Sequence, residues 1–467
     1  MLTRHDPVVF VYDTAIRQRD RARNGGRLQR QQRRRLRRLV GFANMIRLLL
    51  HTRNSKVNTR QFLGLDDALT LLRSIVSPVD GSAESVALAD AAGRVTAETI
   101  VAPMDVPPFF ASAMDGYAIC GSDPIFKGKP PYLLPVQGES RAGSPFAEVP
   151  RVNHAVRIFT GAVMPERCDT VVIQEHVQRH DANIVLQARP IMQTNVRPPG
   201  HDIGSGAVLA AAGLQLGAFD LAWLTACGLT SVRVRPRIRL ALFSTGDELR
   251  SAGDALRPGQ IYDANRFVLQ QLLRDAPVDI EDLGILPDDP QLIEATLKAA
   301  AARHDVVMTS GGVSVGDADY VRDIVERLGR IEFWKIAIKP GKPLAYGRIG
   351  ACHFFGLPGN PVSTIVTFLM LVKPILATLA GTQYELPLKV EAKLSADIAH
   401  EPGRVEYQRG AYSIVAHSIS VRPTSDQSSN RIGSFQGANC LIEVPRISGN
   451  LSRGTSVSIL PLTGLLG

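Results

Sequence analysis

The chain has 467 residues, 45% of them hydrophobic and 21% charged, an ordinary globular balance that leaves room for several domains and sets no limit on core size. Its five cysteines, Cys120, Cys168, Cys227, Cys352 and Cys440, stand far apart with no Cys-x-x-Cys pair. That excludes a disulfide scaffold or a zinc ribbon and fits a reducing, cytoplasmic compartment. The net charge of +9 does not mark a nucleic-acid-binding body: residues 1–60 hold 16 Lys+Arg and 3 Asp+Glu, which leaves 37 basic and 41 acidic residues for the rest.

Residues 1–60 read as a basic arm, with Arg33, Arg34, Arg35, Arg37 and Arg38 in one block before a mostly apolar run from Leu39 to Leu50. Three readings stay open: a nucleic-acid or membrane-surface arm, a targeting segment, or an upstream start with Met45 as the working one. The expectation is a dispensable, poorly ordered extension, because like charges this dense repel. No apolar run is expected to reach the ~20 residues of a membrane span.

The body begins near Leu65, where Asp66 is expected to cap a helix with the stripe Ala68, Leu69, Leu71, Leu72 and Ile75. The prolines of Ala102–Ala118 rule out regular structure up to Pro108, and Asp115–Gly116 predicts a turn that projects a carboxylate. Short apolar runs between Pro/Gly turns over 130–190 predict a small β-rich module. Ala218–Gly228 reads as a helix closed by glycine.

From Arg237 the rhythm changes to alternating strand and helix. The pattern predicts strands at 238–243, about 279–285, 305–309, about 331–337 and 352–356, and helices at about 264–274, 290–302, 320–328 and 361–379: a doubly wound α/β domain. Residues 385–467 return to short strands (389–394, 414–421, 440–444, 456–460), the pattern of a small β-barrel or sandwich. The fold class is therefore a central α/β domain with an N-terminal mixed α/β linker region, an inserted β-rich module and a C-terminal β-barrel. The boundaries are 1–60 for the extension, 62–105 with 195–236 for the linker region, 106–194 for the module, 237–384 for the α/β domain and 385–467 for the barrel.

Two strands end alike. Val306–Met308 runs into Thr309-Ser-Gly-Gly312 and then Gly316-Asp-Ala-Asp319 before a helix near Tyr320; Arg239–Phe243 runs into Ser244-Thr-Gly-Asp-Glu248. Each stretch is either a tight turn with a capped helix or a loop whose amides hold phosphate and whose acids hold a divalent cation. Two such strand ends side by side would form one crevice. Lys335, Lys339 and Lys342, in a Pro/Gly-stiffened stretch, form either an exposed basic turn or an oxyanion seat, with Lys335 and Lys339 on one strand face if Lys335–Ile338 is a strand. Gly356-Leu-Pro-Gly-Asn-Pro361 leads into Ser363 and a long helix, with Asn360 as cap and Pro361 at the first turn. In Asp288-Asp289 one acid is a helix cap and the other a candidate cation ligand. No Walker loop and no Gly-x-Gly-x-x-Gly is present. The inventory fits metal-assisted phosphoryl or nucleotidyl chemistry on a phosphorylated substrate.

Ser112-Ala-Met-Asp-Gly-Tyr-Ala118, Phe243–Leu249, Thr309–Tyr320, Ile338-Lys-Pro-Gly-Lys-Pro343 and Gly356–Ser363 together resemble the molybdopterin molybdenumtransferases, to which the C-terminal half of gephyrin is related. The resemblance covers about residues 62–467. It implies an elongated, four-part homodimer that takes adenylylated molybdopterin and molybdate, uses Mg²⁺, and releases AMP and molybdenum cofactor. It implies catalytic roles for Asp115, Thr160, Asp202, Glu248, Asp319, Lys335 and Lys339, and a metal site at Glu248, Asp288 and Asp319. Substrate contacts are implied for Ser310, Gly311, Gly312, Asp247, Asp317, Lys342, Pro358, Pro361, Ser363, Arg404 and Ser429. Implied partners are a molybdopterin adenylyltransferase and molybdoenzyme chaperones, with no membrane and no nucleic acid. The chain departs from the family at Gly200-His201-Asp202, where Gly-Glu-Asp is common, at Asp317, where many relatives carry Glu, and along Ser425–Arg431, where the match is loose. Competing readings are the related adenylyltransferase, which lacks the surrounding domains, and a non-catalytic scaffold.

Overall fold

Ile238–Thr245 (β1) is buried at every position but Arg239, and the α/β region is assembled on it. Its sheet continues with Val278–Leu286 (β2), Val306–Ser310 (β3), Arg330–Trp334 (β4), Ala345–Ile349 (β5) and Cys352–Leu357 (β6), in the spatial order β2-β1-β3-β6-β5-β4. The first four in that order are parallel; β5 runs antiparallel to β6, and β4 antiparallel to β5. Alternation along β1 sends Leu240 and Leu242 to one layer, Ala241 and Phe243 to the other. The first layer holds Ala264–Leu273 (α1) and the helical run Pro361–Leu379; the second holds Pro290–Arg303 (α2) and Tyr320–Leu328 (α3). In α3 the buried residues Val321, Ile324 and Val325 keep the spacing of a single helix face.

The computed structural model describes residues 62–313, 320–384, 388–415, 418–424 and 426–466. The expectations for 1–60, Asp317 and Asp319 lie outside these residues, and so does the cap assigned to Asp319. Leu63–Gly467 form one unit.

Upstream of the sheet, antiparallel pairs nest inside one another: Glu84–Ala87 with Ser231–Val234, Ile100–Val101 with Val208–Ala210, and Ala111–Ser112 with Val196–Arg197. The chain runs out along one leg and back along the other. Between the legs lies a six-stranded β sheet formed by Gly116–Ile119, Tyr132–Ser140, Ala155–Ile158, Thr170–Ile173, Val177–His180 and Asn183–Leu186. At the C-terminus, Val390–Leu394, Val405–Val415, Ser418–Pro423, Cys440–Val444 and Ser456–Pro461 close into a five-stranded barrel, because Val405–Val415 pairs with both Ser418–Pro423 and Cys440–Val444. Ile338–Lys339 joins the same strand from the α/β side.

Several expectations need correction. The helix Leu65–Ile75 starts from Gly64 without a side-chain cap, so Asp66 is not its cap, and Leu71 is exposed. The strand expected over 331–337 stops at Trp334, so Lys335–Ile338 is not a strand. Lys335 instead sits at φ 110°, a left-handed conformation rare for a side-chain-bearing residue. Ala345–Ile349 was not expected; its Tyr-Gly-Arg sequence lacks a run of β-branched residues. The single strand expected at 414–421 is two strands.

Pro361–Leu379 is, contrary to the sequence reading, long and apolar enough to cross a membrane by length and composition, yet 83% of its most apolar window is buried inside the fold. The run changes from α to π geometry at Phe368–Val372, just ahead of Pro374. Proline lacks the N–H for an interior helical bond and crowds the carbonyl four residues back, which accounts for the wider turn there.

Candidate active-site crevice

β1 and β3 end next to each other, with Ser244 paired in register to Ser310. Their loops open into a cavity of about 290 Å³ lined by Thr245, Gly246, Glu248, Tyr262, Asp263, Asn265, Asp288, Ser310, Gly311, Gly312, Gly359 and Pro361, among others. The paired strand ends thus share one crevice, as the sequence predicts. A second cavity of about 510 Å³ lies beyond the same loop, against Asp247, Arg250, Ser251 and Asp254.

The glycines are required by geometry. Gly311 has φ 92° and Gly312 φ 69°. A Cβ on Gly311 would lie 2.7 Å from the carbonyl oxygen of Thr245, and one on Gly312 would lie 2.5 Å from Cγ2 of Val321. The expected amide cradle is only partly available. The Gly311 amide donates to the Leu357 carbonyl and the Gly246 amide to the Leu286 carbonyl, so both continue the sheet ladder. Side chains therefore carry the polar character of the floor. Among the described residues the buried hydroxyls of Ser244, Thr245 and Thr309 have no hydrogen-bond partner, and Thr245 lines the cavity. A buried polar atom without a partner costs stability unless a ligand or water satisfies it.

The acids divide as follows. Asp289 is the cap of α2, accepting from the amides of Gln291 and Leu292 at 2.8 and 3.3 Å. Asp288 is left to line the cavity with Glu248, and its amide donates to Asp247 Oδ1 at 3.2 Å. Asn265 was missed by the sequence reading. It stands in the first turn of α1, and its Nδ2 donates to Ser310 Oγ at 2.9 Å and to the Gly359 carbonyl at 2.7 Å. It ties the end of β3 to the turn before Pro361. The available signal was a polar residue two places after a capping Asp263, in a helix predicted to start there.

The lysine cluster lies where β4 gives way to the barrel. The Lys335 and Ile336 amides donate to the Leu344 and Lys342 carbonyls. Lys339 stands opposite Glu406 in register, with Nζ 3.2 Å from Glu406 Oε1. Arg404 is half-buried, one residue before Val405, the partner of Ile338. Ser363 is buried in the first turn of the Pro361 helix, and the buried Pro358 accepts from Thr364 Oγ1. Ser429 docks at the same turn: Asn360 Nδ2 donates to its hydroxyl at 3.0 Å, and its carbonyl accepts from the Val362 amide at 3.0 Å. Asn360 thus spends its side chain on Ser429 instead of capping the helix.

Sequence reading also missed Glu406 and Arg409. The Arg409 side chain is buried and donates to the carbonyls of Asp426 and Ser428 and to Ser434 Oγ. Burial pulls its pKa down to about 10. Hydrogen bonds from Ser428, aided by Arg431, hold the Asp426 carboxyl down to about 2. These contacts shape the loop that carries Ser429.

Asp115, Thr160 and Asp202 lie in the first half of the chain and bond to neighbours there. Asp115 Oδ1 accepts from the amide and the hydroxyl of Thr160 at 2.7 and 2.8 Å, and these bonds lower its pKa. Asp202 is exposed, its amide bound to the Val106 carbonyl. Two short patterns in this chain, His176-Val-Gln-Arg-His180 and Gly312-Val-Ser-Val-Gly316, resemble zinc and serine-nucleophile motifs. No group of three His, Cys, Asp or Glu among the described residues could hold a metal by itself, and Ser314 lies outside those residues.

Three family models match the chain: the MoeA N-terminal region (domain I and II) over 63–228, the probable molybdopterin binding domain over 241–378, and the MoeA C-terminal region (domain IV) over 391–462. A molybdopterin molybdenumtransferase of Haemophilus influenzae is 41% identical over 393 residues, covering 84% of this chain and 96% of the relative. The chain belongs to the molybdopterin molybdenumtransferase family. It is a transferase of molybdenum cofactor biosynthesis. A molybdopterin molybdenumtransferase of Nostoc is 35% identical over 408 residues, covering 85% of this chain and 93% of its own. The solved molybdopterin biosynthesis moeA protein of Pyrococcus horikoshii superposes with a TM-score of 0.74 at 30% identity, over 86% of this chain and all of that one. The crevice and the lysine cluster fall within or beside the stretch matched by the molybdopterin binding model, and Arg404 and Ser429 within the C-terminal one.

Proposed function

We propose that this molybdopterin molybdenumtransferase inserts molybdenum from molybdate into adenylylated molybdopterin, with Mg²⁺-dependent release of AMP, as a cytoplasmic homodimer. One observation carries the reading: Glu248 and Asp288 share a cavity with Ser310, Gly311, Gly312 and the start of the Pro361 helix, where Ser429 docks. A carboxylate site thus adjoins a site rich in hydroxyls, and the Gly341 turn between Lys339 and Lys342 lies against the Ser363 carbonyl of the same helix. The donor set fits Mg²⁺, which is bound by one or two carboxylates together with substrate phosphate oxygens. When bound, Mg²⁺ supplies charge neutralisation at the phosphoanhydride.

The chain's own residues do the rest. Glu248 and Asp288 offer the carboxylate oxygens. Thr245, with its buried unpaired hydroxyl, donates to a substrate oxygen in the crevice. Lys335, Lys339, Lys342, Ser363, Arg404 and Ser429 balance and orient the molybdate oxyanion. Asp115, Thr160 and Asp202 are read as reaching a crevice from the other copy, which makes the homodimer part of the proposal. The test is AMP release from adenylylated molybdopterin, with and without molybdate and Mg²⁺, using the full chain and one that starts at Met45. Release that needs both additions and is equal in the two proteins is expected. Tight substrate binding without release would overturn the reading and favour a scaffold.

A further inference from the structure

Glu406 is 3% exposed, yet it is an acid set beside the basic cluster read above as an oxyanion seat. A carboxylate there repels an incoming oxyanion, so its presence needs a reason. Its contacts supply one. Oε1 is 3.2 Å from Lys339 Nζ, and Oε2 is 2.6 Å from Nδ1 of His400. The His400 side chain is fully buried, and its amide donates to Asn450 Oδ1 at 2.9 Å. Its Nε2 has no partner among the described residues. The second anchor therefore runs through Nδ1, and the ring is fixed from the barrel side. Glu406 also lies on the strand that pairs in register with Ile338–Lys339, so backbone and side chain are clamped together. The Lys339 side chain remains 43% exposed, against 4% for Glu406.

We infer that Glu406 is a positioning residue for molybdate, acting through Lys339. A free lysine side chain carries substantial rotamer entropy and loses it on gripping an anion. The Glu406 carboxylate removes that loss beforehand. It takes one of the three ammonium donors and leaves two for the oxyanion. A lysine tethered this way needs a partner fixed in turn, which is what His400 provides.

The inference rests on the molybdate seat proposed above, and the experiment separates the two. The rate of cofactor formation is measured against molybdate concentration at saturating adenylylated molybdopterin and Mg²⁺. Glu406→Gln keeps the shape and removes the charge; its KM for molybdate is expected to rise by about tenfold, the scale of one charge-assisted hydrogen bond, with kcat within about twofold. Simple electrostatics predicts the opposite sign, because a repelling charge has gone. Adding Glu406→Gln to Lys339→Ala is expected to change nothing further, since the two act as one unit. An unchanged or lower KM in Glu406→Gln, or full additivity in the double variant, overturns the inference while leaving the seat intact. An unchanged KM in Lys339→Ala overturns the seat and the inference with it. If Glu406→Gln is recovered unfolded, Glu406→Asp carries the same test: its carboxylate is one methylene short, so a raised molybdate KM at unchanged kcat supports the inference and a wild-type KM overturns it.

Discussion

Gly311→Ala tests whether the crevice floor is set by backbone geometry. Two costs add. Alanine at φ 92° sits in left-handed space, at about 1–2 kcal/mol. Its Cβ would also lie 2.7 Å from the Thr245 carbonyl oxygen. That atom belongs to the last residue of β1, buried and paired to β2, so it cannot swing aside like the tip of a side chain. Overpacking of this kind costs about 1–3 kcal/mol. The sum is roughly 2–5 kcal/mol, which at a urea dependence of about 2 kcal/mol per molar lowers the unfolding midpoint by about 1–2.5 M. Trp334 ends β4 in the same sheet, whereas Trp223 lies in the helix Ala218–Ala226. Fluorescence in a Trp223→Phe background therefore reports on the α/β sheet alone. A midpoint indistinguishable from the parent would refute the claim that Thr245 and Gly311 are in forced contact.

Two further predictions concern protonation. Thr160→Val removes one of the bonds that hold the Asp115 pKa down, so its titration in ¹³C-labelled protein moves upward. The depressed carboxyl contributes stability that is lost as pH falls from the unfolded pKa through its folded pKa, and in the variant that loss is smaller and complete at a higher pH; an unmoved titration would show that the hydroxyl contributes nothing. His353 is pushed down to about 4 by burial and then by Arg348, with Asp305 opposing, and its Nδ1 shares a 2.8 Å hydrogen bond with Tyr346. Its folded pKa lies below the unfolded value near 6.5, so its contribution is whole above that value and is lost progressively towards pH 4. His353→Gln should flatten that part of the stability profile, and a parallel slope in parent and variant would exclude the assignment.

How far the sequence spoke depends on the kind of signal. β1, β2, β3 and α1 to α3 were legible to within about two residues, because buried parallel strands are apolar runs and amphipathic helices keep their spacing. β5 was not, since Ala345-Tyr-Gly-Arg-Ile349 owes its place to pairing with β4 and β6 and not to propensity. Lys335 was misassigned for a related reason: its chain is turned by the bonds from the Lys335 amide to Leu344 and from the Ile336 amide to Lys342, nine and six positions away in sequence, which local patterns do not encode. Among the candidate site residues, glycines and acids after strand ends announced themselves. Asn265, Glu406 and Arg409 did not, because each acts by joining segments far apart in the chain.

That last group explains why the lysine cluster and the crevice belong to one structure. Strand Val405–Val415 carries Glu406, which grips Lys339, and three residues later Arg409, which holds the carbonyls of Asp426 and Ser428. Through Ser429 that loop reaches Asn360 and Val362 at the helix start, and Asn265 carries the connection on from Gly359 to Ser310. Asn265, Asn360 and Ser429 lie half-buried or exposed at the rim, so removing one of their links frees a turn without unfolding the sheet, whereas Glu406 and Arg409 are buried and their removal leaves buried polar groups unpaired. Variants at Asn265, Asn360 and Ser429 should therefore lose substrate affinity before they lose stability, the reverse of what Gly311→Ala does.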